Sequence, residues 1–116
     1  MTPACAYAQG GSHHPGWKNA YVTNAGSNNV SVIRAATNKV VATVTVGLTP
    51  SGITFTPDGT QAYVANAGSN TVSVIDTSTN TMVGNPIPVR ILPLGVAFSL
   101  DGKHAYVANG APAMFR

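Results

Sequence analysis

The 116 residues carry a formal net charge of +3, from six Lys and Arg against three Asp and no Glu, and only 8% of positions are charged. Lys18, Arg34, Lys39, Arg90, Lys103 and Arg116 fall one to a strand or turn, which excludes the gathered basic stripe of a nucleic-acid footprint. A single cysteine, Cys5, excludes an internal disulfide; no apolar run reaches the ~18 residues of a membrane-spanning helix, and 44% apolar content at low charge excludes disorder.

A chain of this size is expected to form one domain with one modest core. Val, Thr, Asn, Ser and Gly dominate it, a composition of strands and turns rather than helices. Residues 1–14 show no periodicity, and Met1 to Gly11 lacks both the positive leader and the apolar core of an intact export signal. Ala6-Tyr7-Ala8 has the small-x-small pattern of a cleavage site, a pattern short enough to arise by chance. Gly10-Gly11-Ser12-His13-His14 stands where the later pattern places a strand, with His13 in the position of Phe55. Residues 1–14 are therefore expected to be an irregular segment or a degenerate first strand.

From residue 15 onward the pattern is regular. Ala20 to Asn24 and Val30 to Ile33 are short apolar-rich strands, joined by an Asn-Ala-Gly-Ser-Asn turn whose residues tolerate positive φ or bond their own backbone. After the turn at Ala36-Thr37-Asn38, the alternation of Val40, Ala42, Val44 and Val46 predicts a third strand. Gly47-Leu48-Thr49-Pro50 ends it. Ile53 and Phe55 share one face of a fourth strand, and Pro57-Asp58-Gly59 turns the chain into Ala62-Tyr63-Val64.

The order then starts again, forty-two residues on. Ala62-Tyr63-Val64-Ala65-Asn66 answers Ala20-Tyr21-Val22-Thr23-Asn24, and Ala105-Tyr106-Val107-Ala108-Asn109 follows after a further forty-three. A period of this length belongs to β-propeller blades. The additional residue falls near Asn85-Pro86, since Val83 keeps the first offset and Ile87 fits the second, and it is read as a β-bulge. Pro86 and Pro88 donate no ladder hydrogen bonds, which predicts an outermost edge strand over Met82 to Val89. The periodic region spans 15–109, and residues 110–116 are a tail without counterpart.

The Ala-Tyr-Val-x-Asn pentads, the Gly-Ser-Asn-x-Val-Ser-Val-Ile that follows Asn24 and Asn66, and the Pro-Asp-Gly turn resemble the YVTN β-propeller repeat of surface-layer and exported proteins. The resemblance implies four-stranded antiparallel blades, an all-β fold and an extracytoplasmic location. Commonly seven such blades close a ring around a central channel, and two and a half are present here. A wedge of this size leaves large flanking faces apolar and wet, so it is expected to associate with copies of itself, head to tail. Similar repeats occur in lactonase-like enzymes and in propeller subunits of dehydrogenases, so resemblance alone does not fix an activity. The expected role is a non-catalytic, self-assembling scaffold. The alternative is a lactonase-like hydrolase fragment with its site at the channel of the assembled ring.

No catalytic residue and no cofactor are assigned. Asp58 and Asp101 occupy identical turn positions and are read as caps of their own turns, as is Asp76. There is no Gly-x-Ser-x-Gly elbow, His-Glu-x-x-His helix or phosphate-binding glycine loop. His13 and His14 are the only candidates for a metal, and adjacent strand residues face opposite sides, so no metal site is assigned. His104 is read as a solvated turn residue and Trp17 as the cover of an apolar edge or an inter-chain seam. Tyr21, Tyr63 and Tyr106 are expected to pack between blades with their hydroxyls bonded locally, and Asn24, Asn66 and Asn109 to bond turn backbone. Arg90 replaces Gly47 one period on; at the mouth of a closed ring it would favour anions, and it is the one binding candidate.

Overall fold

The computed structural model describes residues 4–8, 19–99 and 101–110, and these form an all-β structure of antiparallel sheets. The first sheet has the order β1 (Ala4–Ala8), β2 (Asn19–Asn24), β3 (Asn29–Arg34), β4 (Lys39–Thr45). The second has β5 (Pro50–Phe55), β6 (Gln61–Asn66), β7 (Thr71–Asp76) and β8 (Thr81–Met82), with β9 (Ile87–Pro88) also paired to β7. The third is the pair β10 (Pro93–Phe98) and β11 (Ala105–Asn109). His13, His14 and Trp17 lie outside the described residues.

The hairpins β2–β3, β3–β4, β6–β7 and β7–β8 close on an asparagine, whereas β5–β6 and β10–β11 turn at Gly59 and Gly102. Asn28, Asn38, Asn70 and Asn80 all adopt left-handed backbone, with φ between 57° and 60°. Asparagine enters that region at lower cost than branched residues. The backbone N–H groups of Asn28, Asn38 and Asn80 donate to the carbonyls of Asn24, Arg34 and Asp76 at 2.7 to 2.9 Å, locking the turns. Register follows: Ala20 faces Ile33 and Ala62 faces Ile75, while Phe55 faces Ala62 and Phe98 faces Ala105.

The first strand does not lie where the spacing placed it. β1 pairs Ala8 with Ala20, so Ala8, not His13, holds the position of Phe55. The reason is loop length: the connection of residues 9–18 is twice as long as that of residues 56–60. The edge strand, in contrast, breaks where the offset put the additional residue. Met82 faces Ile75 and Ile87 faces Val72, leaving four residues, Val83 to Pro86, between the paired positions; in β4 three residues separate Val40 and Val44. Gly84 takes up the excess at φ 64°. No described strand pairs outside β8 and β9, which suits Pro88.

The core is the seam between the first two sheets. Tyr21, Val30, Val32 and Val44 of the first are buried against Ile53, Ala62, Val64 and Ile75 of the second, with Ala42, Val46, Phe55 and Met82 at the margin. Each large apolar side chain contributes about 1.5–3 kcal/mol by leaving water. In β3 burial alternates, because only one face is packed, whereas Val72, Ser73, Val74 and Ile75 of β7 are all buried. The second sheet is covered on both faces.

Candidate functional site

The seam defines a recognition geometry that the molecule uses twice and presents a third time. Tyr21 of β2 is fully buried, its ring edge-on to Phe55 at 5.2 Å and 74°. Its hydroxyl donates to Asn80 Oδ1 at 2.6 Å. The partner stands 59 residues away, in the outer turn of the next sheet, and is not the local group expected from the sequence. Burial pushes the Tyr21 hydroxyl above its ordinary pKa, the Asn19 side chain beside it partly opposes this, and the charge of Asp76 adds to it. Tyr63 of β6 meets Phe98 in the same way, at 4.9 Å and 86°. Strands β5 and β10 converge there as well, with Ser51 Oγ donating to Pro93 O at 3.2 Å. A Cβ on Gly52 would stand 2.8 Å from Leu94 O, so only glycine fits this approach.

Tyr106 of β11 is the third of the series, and it is 63% exposed. It lines an open, mostly apolar cleft of about 410 Å³ with Gly95, Val96, Ala97, Val107 and Ala108. Ile91, Leu92 and Leu94 are exposed on the same sheet and its approach. At the other end, register matches Ala20, Val22, Ile33 and Val40 of the first sheet to Ala62, Val64, Ile75 and Met82, which in the second sheet receive the first. Val40 is 58% exposed, and Asn38, in the turn position of Asn80, is exposed too. The molecule thus shows a tyrosine-bearing face at one end and an asparagine-bearing face at the other. Sequence reading passed over Asn38 and Asn80 as turn formers; their recurrence at one period was the available signal.

The polar side chains are engaged in holding loops. Asp58 Oδ1 accepts from Thr56 Oγ1, Thr60 Oγ1 and Thr60 N–H at 2.7 to 3.1 Å, Asp101 Oδ1 from Ser99 Oγ and Lys103 N–H, and Asp76 Oδ1 from Ser78 Oγ and N–H. These bonds hold all three carboxyls below their ordinary pKa. Asp58 and Asp101 border one open cleft of about 290 Å³, but among the described residues no three His, Cys, Asp or Glu side chains gather as metal ligands. Asn24 and Asn66 bond side chains rather than the expected turn backbone: Nδ2 donates to Ser31 Oγ in one and to Ser73 Oγ in the other, each at 2.9 Å.

Between sheets, the connections are clamped by the turns beside them. Asn28 Oδ1 accepts from Thr49 N–H and Asn70 Oδ1 from Leu92 N–H, both at 2.9 Å. Thr49 and Leu92 are themselves left-handed, at φ 52° and 59°, and these bonds help fix them there. Gly47 sits under the β6–β7 turn, where a Cβ would lie 2.6 Å from Ser69 Oγ and 2.8 Å from Asn66. Arg90, one period on, is exposed in the connection from β9 to β10. His104 is exposed in its turn, its ring 6.4 Å from that of Tyr106.

No protein-family model matches the sequence, and no curated protein matches it. Among solved structures, the chain is similar to hydrazine synthase from Kuenenia stuttgartiensis, at 37% identity and a TM-score of 0.75, over 79% of this chain and 26% of that one. It is also similar to a functionally unknown protein from Desulfotomaculum acetoxidans DSM 771, at 28% identity and a TM-score of 0.70, over 79% of this chain and 31% of that one. The chain spans less than a third of either protein.

Proposed function

We propose that the chain is a β-propeller module of the YVTN type that acts as a structural and interaction scaffold by associating with copies of itself. In this reading the three sheets are two blades and half of a third, and the open outer faces of the first and third sheets are docking surfaces. The observation that carries it is the exposure of Tyr106 in an apolar cleft, when Tyr21 and Tyr63 at the matching positions pack against the next sheet. A contiguous exposed apolar face is the mark of an interaction site. The likeness to segments of two larger solved proteins supports reading the arrangement as a module. An extracytoplasmic setting accords with the resemblance of the pentads, and Arg90 would then stand near the rim of an assembled ring.

Light scattering coupled to size exclusion tests the proposal. The purified chain at micromolar concentration is expected to elute as a discrete oligomer, and Tyr106→Arg as a folded monomer. A wild-type chain that remains monomeric across that range overturns it. Lactone hydrolysis by the same fractions, with and without divalent metal, would replace the scaffold with an enzyme.

A further inference from the structure

We infer that association between copies is polar, with the Tyr106 face of one copy seated on the first sheet of the next and the Tyr106 hydroxyl donating to Asn38 Oδ1 there. The inference rests on the self-association just proposed and adds which faces meet. A second copy fits because the molecule already contains the contact. Tyr21 lies on a sheet whose matching positions are Ala62, Val64, Ile75 and Met82, and its hydroxyl reaches the left-handed Asn80 in the turn before β8. The first sheet carries Ala20, Val22, Ile33 and Val40 in those positions, and Asn38, at φ 58°, in the turn before β4. Only the aromatic edge is missing, since Ala8 holds the position of Phe55.

Pairing of two tyrosine faces is the competing arrangement, and chemistry disfavours it. Each such face offers hydroxyl donors and apolar surface but no turn asparagine, and the approach that buries Tyr21 is made onto a differently built face. A head-to-tail contact leaves the tyrosine face of one end copy and the asparagine face of the other unused, so it propagates until a ring closes.

The polarity is open to a mixing experiment. Tyr106→Arg blocks one face and Val40→Arg the other, both at exposed strand positions, and circular dichroism checks that each variant is folded. Each variant alone is expected to be monomeric, whereas an equimolar mixture gives a discrete heterodimer through the one pair of intact faces. The hydrogen bond has its own readout: Tyr106→Phe or Asn38→Gly, the latter keeping the left-handed turn, weakens association about fivefold, and the double variant is no weaker than either. If Val40→Arg still dimerises while Tyr106→Arg does not, or if the mixture stays monomeric, the polar contact is wrong although self-association stands. Additive losses in the double variant overturn the Tyr106–Asn38 bond. A monomeric wild type removes the proposed function and this inference together.

Discussion

At the scale of single residues, the molecule depends on a few polar side chains that join distant segments. Tyr21→Phe removes the hydroxyl from Asn80 and keeps the ring on Phe55, so unfolding in urea is expected to show a loss of about 1 kcal/mol. The same variant reports on pH. The folded state holds the Tyr21 hydroxyl above its ordinary value of 10.0, so the unfolded chain ionises first and stability falls as pH rises past that value; Tyr21→Phe is expected to flatten this alkaline loss. The carboxyls act in the opposite direction. Asp58, Asp76 and Asp101 are held below 3.8, so their contribution is full above that pH and is lost as pH falls from it through their lowered folded values. Asp58→Asn is expected to reduce the acid dependence of thermal unfolding. Capping by these aspartates was legible in the sequence, because the acceptor and its donors lie two residues apart. The Tyr21–Asn80 bond was not, because nothing local relates residues 59 positions apart.

Elements are distinguished here by their connections. Gly47 and Arg90 hold one position in successive connections, yet only the first is pressed beneath a turn, by Ser69 and the buried Asn66. Those neighbours have little room to yield: Ser69 Oγ accepts from Leu48 N–H at 3.0 Å, and Asn66 Nδ2 is tied to Ser73. Gly47→Ala is therefore expected to cost about 1–3 kcal/mol by overpacking, while Arg90→Gly changes stability by less than about 0.5 kcal/mol, both read from denaturant midpoints. The strands themselves were legible wherever an Ala-Tyr-Val-x-Asn pentad or a broken offset marked them, including the interruption between Met82 and Ile87. β1 escaped because Ala4–Ala8 has alanine where its counterparts carry Ile53 and Phe55 or Val96 and Phe98, and a longer loop displaces it. Periodicity fixes a strand only when its connection keeps its length.

For the molecule as a whole, the three sheets are unequal. The second is covered on both sides, the first on one side, and the third is covered along β10 and bare along β11, as the burial of β7, β3, β10 and β11 records. That imbalance was half visible beforehand: Tyr106 could be aligned with Tyr21 and Tyr63, but only the packed structure shows that the first two are roofed and the last is bare. Amide protons of Val72 to Ile75 accordingly require the largest opening to meet water, and those of Ala105 to Asn109 the smallest. Hydrogen exchange followed by mass spectrometry is expected to rank them in that order in the dispersed chain, and to slow the Ala105–Asn109 amides selectively once copies dock. A sandwiched middle with frayed outer leaves means that loss of structure proceeds from the edges inward. Mechanical or thermal damage would then strike first at the very surfaces through which neighbours recognise one another, so that separation of the assembly precedes collapse of its parts.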